Sequence, residues 1–150
     1  MISKTNYNEG VRSKIGDVLL PGSTTTTGID LAKASALMVD EVLLGGDINI
    51  IRQLSKDYNA VFLSYSLTHI YKYQILQKTK GITIHHLHGR DLIELEIKMP
   101  SEPEQSAIIF VLSVLAKEIQ GLEAMLAKYR QMKIGMMQQL LTGKIRLIDN

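Results

Sequence analysis

Apolar residues in the last third of the chain recur at alternating spacings of four and three: Ile108, Leu112, Leu115, Ile119, Leu122, Leu126, Tyr129, Lys133, Met136 and Leu140. Only Lys133 interrupts the series, which holds without a slip for more than four heptads. A seam of this kind predicts one long helix, residues 103–141, packed lengthwise against a partner helix. At ~1.5 Å per residue it would span roughly 55–60 Å, more than the diameter of the unit of about 100 residues in front of it. A lysine at a seam position costs stability and fixes register or orientation. Ser101 or Glu102 begins the helix with Pro103 in its first turn, and Gly143 stands where a stop belongs.

Upstream, the pattern is shorter in range. Val18-Leu19-Leu20 before Pro21-Gly22 predicts a short strand, and residues 29–38 fit either a short helix or an irregular segment. Val42-Leu43-Leu44 and Ile48-Asn49-Ile50-Ile51 flank Gly45-Gly46-Asp47, which predicts a hairpin. Asp57 or Asn59 can cap a helix over residues 60–78 that Gly81 closes. Ile82-Thr83-Ile84 reads as a strand, and residues 91–99 end in another. The five hydroxyl residues 23–27 have no packing period and predict an exposed loop.

Composition adds bounds. At 45% apolar the chain can bury a core, and without cysteine it has neither disulfides nor thiolate metal sites. The start MISKTNYNEG is not a hydrophobic signal, and no run reaches ~18 apolar residues, so a cytoplasmic protein with no membrane span is expected. Net charge is only +2, so any nucleic-acid reading rests on where the charge lies. Between Asp57 and Asp91 no acidic residue occurs, while Lys72, Lys78, Lys80, Arg90, all four histidines (His69, His85, His86, His88) and four tyrosines do. Local positive charge attracts phosphate, and imidazoles and tyrosines offer hydrogen bonds or stacking at base edges. The plainer explanation is a solvated helix face with tyrosines partly in the core. The DNA-facing candidates are Ser23, Thr24 and Thr25 of the hydroxyl loop, with Arg52, Lys72, Lys78, Lys80, His86 and Arg90.

Other chemistry is poorly supported. On a strand His86 and His88 share a face, but two imidazoles without a nearby cysteine or carboxylate make a poor zinc site. Glu96-Ile97-Lys98 is half of a nuclease pattern that needs further carboxylates to hold the metal; Asp91 and Glu94 are close, but no Pro-Asp motif precedes them, and surface Glu and Lys on a strand explain the pattern as well. The lysine-bearing phosphate loop is absent, and nothing arranges Ser, His and Asp as a nucleophilic site. No catalytic or metal-binding residues are assigned.

Two segments bracket the long helix. Ile97-Lys98-Met99-Pro100-Ser101-Glu102-Pro103-Glu104-Gln105-Ser106-Ala107-Ile108 resembles the I-x-h-P-x-x-x-E-Q-x-x-I junction of type I restriction–modification specificity (S) subunits. Lys133-Ile134-Gly135-Met136-Met137-Gln138-Gln139-Leu140-Leu141-Thr142-Gly143-Lys144-Ile145-Arg146-Leu147 resembles the helix end of the same family. Gly16-Asp17-Val18-Leu19-Leu20, residues 59–67 and Gly81-Ile82-Thr83-Ile84-His85-His86-Leu87 look like later parts of its target recognition domain.

The resemblance implies a non-catalytic subunit. In this family each recognition domain reads half of a split DNA sequence, and conserved helices pair as an antiparallel coiled coil that sets half-site spacing. The same helices dock methyltransferase (M) subunits, which bind S-adenosylmethionine, and restriction (R) subunits join with their ATP and Mg. The expected fold is α+β: a partial, mixed recognition domain (residues 1–100), one long coiled-coil helix (101–142) and a tail (143–150). A full S subunit has two recognition domains and two helices. This chain therefore reads as a half-subunit, a truncated cassette or a fragment. Its helix pairs with a second copy or another S chain through Ile108, Leu112, Leu115, Ile119, Leu122, Leu126, Tyr129, Met136 and Leu140. The alternative is a coiled-coil assembly or regulatory protein that binds S or M subunits without touching DNA.

Overall fold

Val18 and Leu20 lie on one face of β1 (Asp17–Pro21) and are fully buried, which makes this strand the centre of the N-terminal unit. The computed structural model describes residues 10–53 and 58–148. The elements that follow are β2 (Ser23–Thr24), a 3-10 helix (Gly28–Ala32), β3 (Ser35–Leu37), β4 (Ile48–Ile51), α1 (Ala60–His69), α2 (Lys72–Lys78), β5 (His85–His86), α3 (Gly89–Leu92) and α4 (Glu102–Leu140). The chain divides into two compact units, residues Met1–Ile109 and Phe110–Asn150. The fold is mixed α and β with small sheets and a long C-terminal helix, as the sequence pattern implies.

β1 runs between β3 and β4 and is antiparallel to both, with Val18 opposite Ala36 on one side and Ile51 on the other. Leu31 and Ala32 of the 3-10 helix, Ala60, Leu63 and Leu67 of α1, Ile75 of α2 and Leu87 complete the core. Asp17, at the start of β1, is 1% exposed. Its charge is tolerated there because Arg52 grips both oxygens, Nε to Oδ1 at 2.8 Å and Nη2 to Oδ2 at 2.7 Å. The Lys14 amide donates to Oδ2 at 2.8 Å. The Arg52 hydrogen bond, reinforced by the Lys14 amide and both positive charges, outweighs burial and holds the Asp17 pKa below the ordinary carboxylate value.

Several local expectations change. Ile48–Ile51 is a strand, but its partner is β1 and not residues 42–44. The latter run alongside residues 11–13 instead, with Ser13 N–H bonded to Val42 O and Leu44 N–H to Val11 O, both at 2.9 Å. Burying Val18 and Leu20 needs a neighbour on each side of β1, and that long-range demand overrides the glycine turn. The helix over residues 60–78 is two helices. Asn59 caps α1, accepting from the Val61 amide at 2.9 Å, and Asp57 lies outside the described residues. At the far end the Ile70 and Tyr71 amides converge on the Ser66 carbonyl, at 2.9 and 3.0 Å, and the axis breaks there. The break leaves Tyr71 8% exposed, its hydroxyl receiving the Lys98 amide at 2.8 Å.

Gly81 does not end that helix, which stops at Lys78. It sits at φ +112° in a tight turn between Lys80 and His86, where a Cβ would collide with the Ile84 carbonyl. Ile82-Thr83-Ile84 forms the turn rather than a strand, and the strand begins at His85. Residues 91–99 contain no strand; α3 is followed by irregular chain from which Leu92, Leu95 and Ile97 pack onto the core. The weak segment 29–38 resolves into the 3-10 helix and β3.

α4 is a 39-residue helix, about 58 Å at the standard rise. Its first turns are tied to the N-terminal unit by Gln105, which is fully buried. Gln105 Oε1 accepts the Asn59 amide at 2.7 Å and Nε2 donates to Pro100 O at 2.8 Å. At the other end Gly143 has φ +71°, and its amide reaches Leu140 O at 3.2 Å. Among the described residues no helix is long and apolar enough to cross a membrane.

Candidate nucleic-acid interface

The hydroxyl run and the histidine run, sixty residues apart in sequence, meet as one antiparallel ladder: Ser23 faces His86 and Thr24 faces His85. Lys80 pairs with His86 from the other side, through Lys80 N–H to His86 O at 3.0 Å and His86 N–H to Lys80 O at 2.7 Å. Backbone anchors hold this ladder to the sheet. Gly22, which follows β1, donates to Asp47 O at 2.9 Å and accepts from the Leu87 amide at 2.8 Å. The approach is so close that a Cβ on Gly22 would strike the Asp47 side chain. Asn49 of β4 donates to Leu87 O at 2.8 Å, and buried Leu87 plugs into the core.

The hydroxyls divide by role. Ser23 donates to the Asp47 carboxylate. Thr26 and Thr27 donate to Asp30 Oδ2 at 2.5 and 2.9 Å and shape the start of the 3-10 helix, with Lys33 on Oδ1 at 2.6 Å. The Lys33 contact first, then the two threonines, hold the Asp30 carboxyl well below its usual range. Thr25 is exposed at the tip of this loop, and Thr24 shares a 2.8 Å hydroxyl contact with Thr26. The run is therefore part strand and part helix cap, not simply a loop.

The His86 and His88 rings lie 6.4 Å apart and almost parallel, as two residues on one side of an extended chain should. Among the described residues no group of three potential ligands could hold a metal ion. Arg90 is exposed at the start of α3. The lysines are less free than the acid-poor stretch suggests: Lys78 Nζ bonds Glu94 at 2.8 Å, and Lys80 Nζ lies 3.6 Å from Asp91. The Lys78 ammonium holds the Glu94 carboxyl below its ordinary pKa. Burial works to raise the Asp91 pKa, but the His88 amide and the Lys80 and Arg90 charges leave it lowered. In each pair one partner is open to solvent and the other is largely covered: Glu94 and Lys80 are 78 and 65% exposed, Lys78 and Asp91 only 24 and 16%.

Ser23, Thr24, Lys80 and His86 thus share one ladder; Thr25 is the next residue after β2, and Arg90 lies in α3, beyond Leu87, His88 and Gly89. Lys72 is on α2 with its Nζ 5.2 Å from the centre of the Tyr73 ring, and Tyr65 stacks on His69 along α1. Arg52 stands apart, occupied by Asp17 in the three-stranded sheet and by the Arg12 carbonyl at 2.8 Å. Nothing in the local sequence marks that pair, because its members are thirty-five residues apart. The nearly complete exposure of Ile82, at 96%, was equally hidden by an apolar alternation that resembles a strand.

A type I restriction modification DNA specificity domain matches residues 1–127, from before β1 to the middle of α4. The chain belongs to that family. No curated protein matches it. The specificity-domain match takes in both sheets, the ladder and the Gln105 anchor, and gives the chain a DNA-specificity role in type I restriction–modification. It ends before Lys133-Ile134-Gly135, so the second bracketing segment lies beyond it. Along α4 of this specificity domain, Ile108, Leu112, Leu115, Ile119, Leu122, Leu126, Tyr129 and Met136 are each between 37 and 59% exposed, and Leu140 is half-buried.

Proposed function

We propose that this chain is a non-catalytic DNA-reading component of a type I restriction–modification assembly, and that the ladder of β2, β5 and Lys80 is the surface that meets double-stranded DNA. The observation that carries the reading is the convergence of Ser23, Thr24, His86 and Lys80, from distant parts of a specificity domain, on one rigid edge. Arg90, Lys78 and Lys72 add positive charge from α3 and α2, a footprint suited to phosphate. α4 pairs with a second copy or another S-type helix through its apolar seam and docks M subunits. The M subunits carry S-adenosylmethionine, and R subunits bring ATP and Mg. The assembly works in the cytoplasm, where its DNA is.

A second reading is favoured by one observation: the apolar seam of α4 is exposed over most of its length, as expected of a helix that another protein covers. On that reading the chain binds S or M subunits and never contacts DNA. Capture of the cognate M subunit, followed by a gel shift of the complex on duplex DNA, separates the two. Capture with a shift that Lys78→Ala and Lys80→Ala weaken supports DNA reading. Capture with no shift supports the assembly protein.

A further inference from the structure

We propose that Ile82 is an apolar wedge that inserts between stacked base pairs when the ladder meets duplex DNA. The inference rests on the DNA-reading role above and names the residue that deforms the duplex.

Ile82 is 96% exposed, more than any other large apolar residue described, so folding gains almost nothing from it. It does not hang on a slack loop. The turn that carries it is closed by the two Lys80–His86 backbone hydrogen bonds and by Gly81, whose backbone passes against the Ile84 carbonyl. His86 is held on its other side by Ser23, so the base of the turn is strapped to β2. Ile82, Thr83 and Ile84 are all β-branched, with few rotamers to lose on insertion. The result is a stiff, bulky apolar point.

Its surroundings select the occupant. Lys80 precedes the turn, His85 and His86 follow it, and Lys78 and Arg90 flank the two segments; Glu94 and Asp91 pair with Lys78 and Lys80, but the Lys80 side chain stays 65% exposed and Arg90 is exposed. A protein pocket for isoleucine has no need of a cationic rim; a polyanion does. Apolar side chains inserted between base steps, with cations on the adjoining phosphates, are an established way to unstack and kink DNA. Pyrimidine–purine steps unstack at least cost, so a site chosen by this wedge carries one at its position.

The test uses the full chain with its methyltransferase subunits and a duplex of about 30 base pairs selected from a random pool, with a fluorescence energy-transfer pair at its ends. The unmodified chain should draw the duplex ends together, as a kink of roughly 20–90° requires. Ile82→Ala should leave the unfolding transition unchanged, weaken binding roughly tenfold, and leave the duplex straighter. Its salt dependence should match that of the unmodified chain, because no phosphate contact is lost. Ile82→Met should restore most of the bend. If Ile82→Ala binds and bends the duplex as the unmodified chain does, the wedge is wrong and DNA reading stands. If it weakens capture of the methyltransferase subunit without DNA, Ile82 is a protein contact and the proposal falls. If the unmodified assembly retains no duplex, the DNA-reading role and the wedge fall together.

Discussion

Replacing Arg52 by alanine separates a structural cation from a phosphate-binding one. Asp17 is 1% exposed and Arg52 makes both of its charged hydrogen bonds, so Arg52→Ala leaves a buried carboxylate with only the Lys14 amide. Breaking a buried ion pair by deleting one partner costs about 3–5 kcal/mol. The Arg52 side chain is 32% exposed, and water can reach part of the site it vacates, which lowers the expectation to roughly 2–3 kcal/mol. For a unit of this size that is a fall in melting temperature of roughly 8–20 °C. The pH dependence carries an independent sign. The folded Asp17 pKa lies below its unfolded value, so the pair stabilises the fold above the unfolded pKa of about 3.9, and that stabilisation is lost as pH falls through the folded pKa. Arg52→Ala removes the main cause of the depression and should shrink or reverse this acid loss. Thermal unfolding followed by circular dichroism from about pH 2 to about pH 7, a span that begins below the ordinary carboxylate pKa and ends well above it, measures both effects. A variant that melts like the unmodified chain but binds duplex DNA with a flatter salt dependence would refute the structural role and return Arg52 to the DNA face.

Three further outcomes follow from other contacts. Gln105→Leu should strand the Asn59 amide and the Pro100 carbonyl, both part-buried, at a cost of up to about 1–3 kcal/mol for each group. Hydrogen exchange should show the loss as faster exchange in the first turn of α1, and unaltered protection there would remove Gln105 as the anchor. Gly81→Ala forces φ +112° and a backbone collision on a side-chain-bearing residue, so it should destabilise the turn by about 1–3 kcal/mol. Unchanged exchange of the His86 amide in that variant would show that the turn does not depend on glycine. Among the lysines, each of Lys72→Ala, Lys78→Ala and Lys80→Ala that removes a phosphate contact should reduce the slope of log affinity against log salt by about 0.9. An identical slope in all three would exclude them from the DNA face.

What could be read from the sequence followed the range of the interactions. α4 was legible because a four-three repeat is a property of neighbouring turns, and Asn59 was legible as a cap because its partner amide is two residues away. The central strand was visible in Val18 and Leu20, but its neighbours were not, since β3 and β4 are chosen by burial across intervening chain. The same limit applied to the candidate interface. Ser23, Thr24, Lys80 and His86 were each singled out by residue type, yet their meeting depends on Gly22 and Leu87 locking two distant segments together. Charge was the least legible property. The stretch free of acids suggested unpaired lysines, but the chain after Asp91 turns back so that Asp91 and Glu94 reach Lys80 and Lys78.

The Gln105 clip also decides where such chains can be recombined. A cut at Pro100, just before α4, would transplant an N-terminal unit without the side chain that satisfies the amide of Asn59. The donor segment has to carry the first two turns of α4, through Ile109, where the compact unit ends. Beyond that point the helix presents exposed surface and can be exchanged among chains that keep its heptad phase. A cassette joined there brings its β2–β5 ladder and its own fastening with it, and a cassette joined earlier has to borrow the fastening from its host.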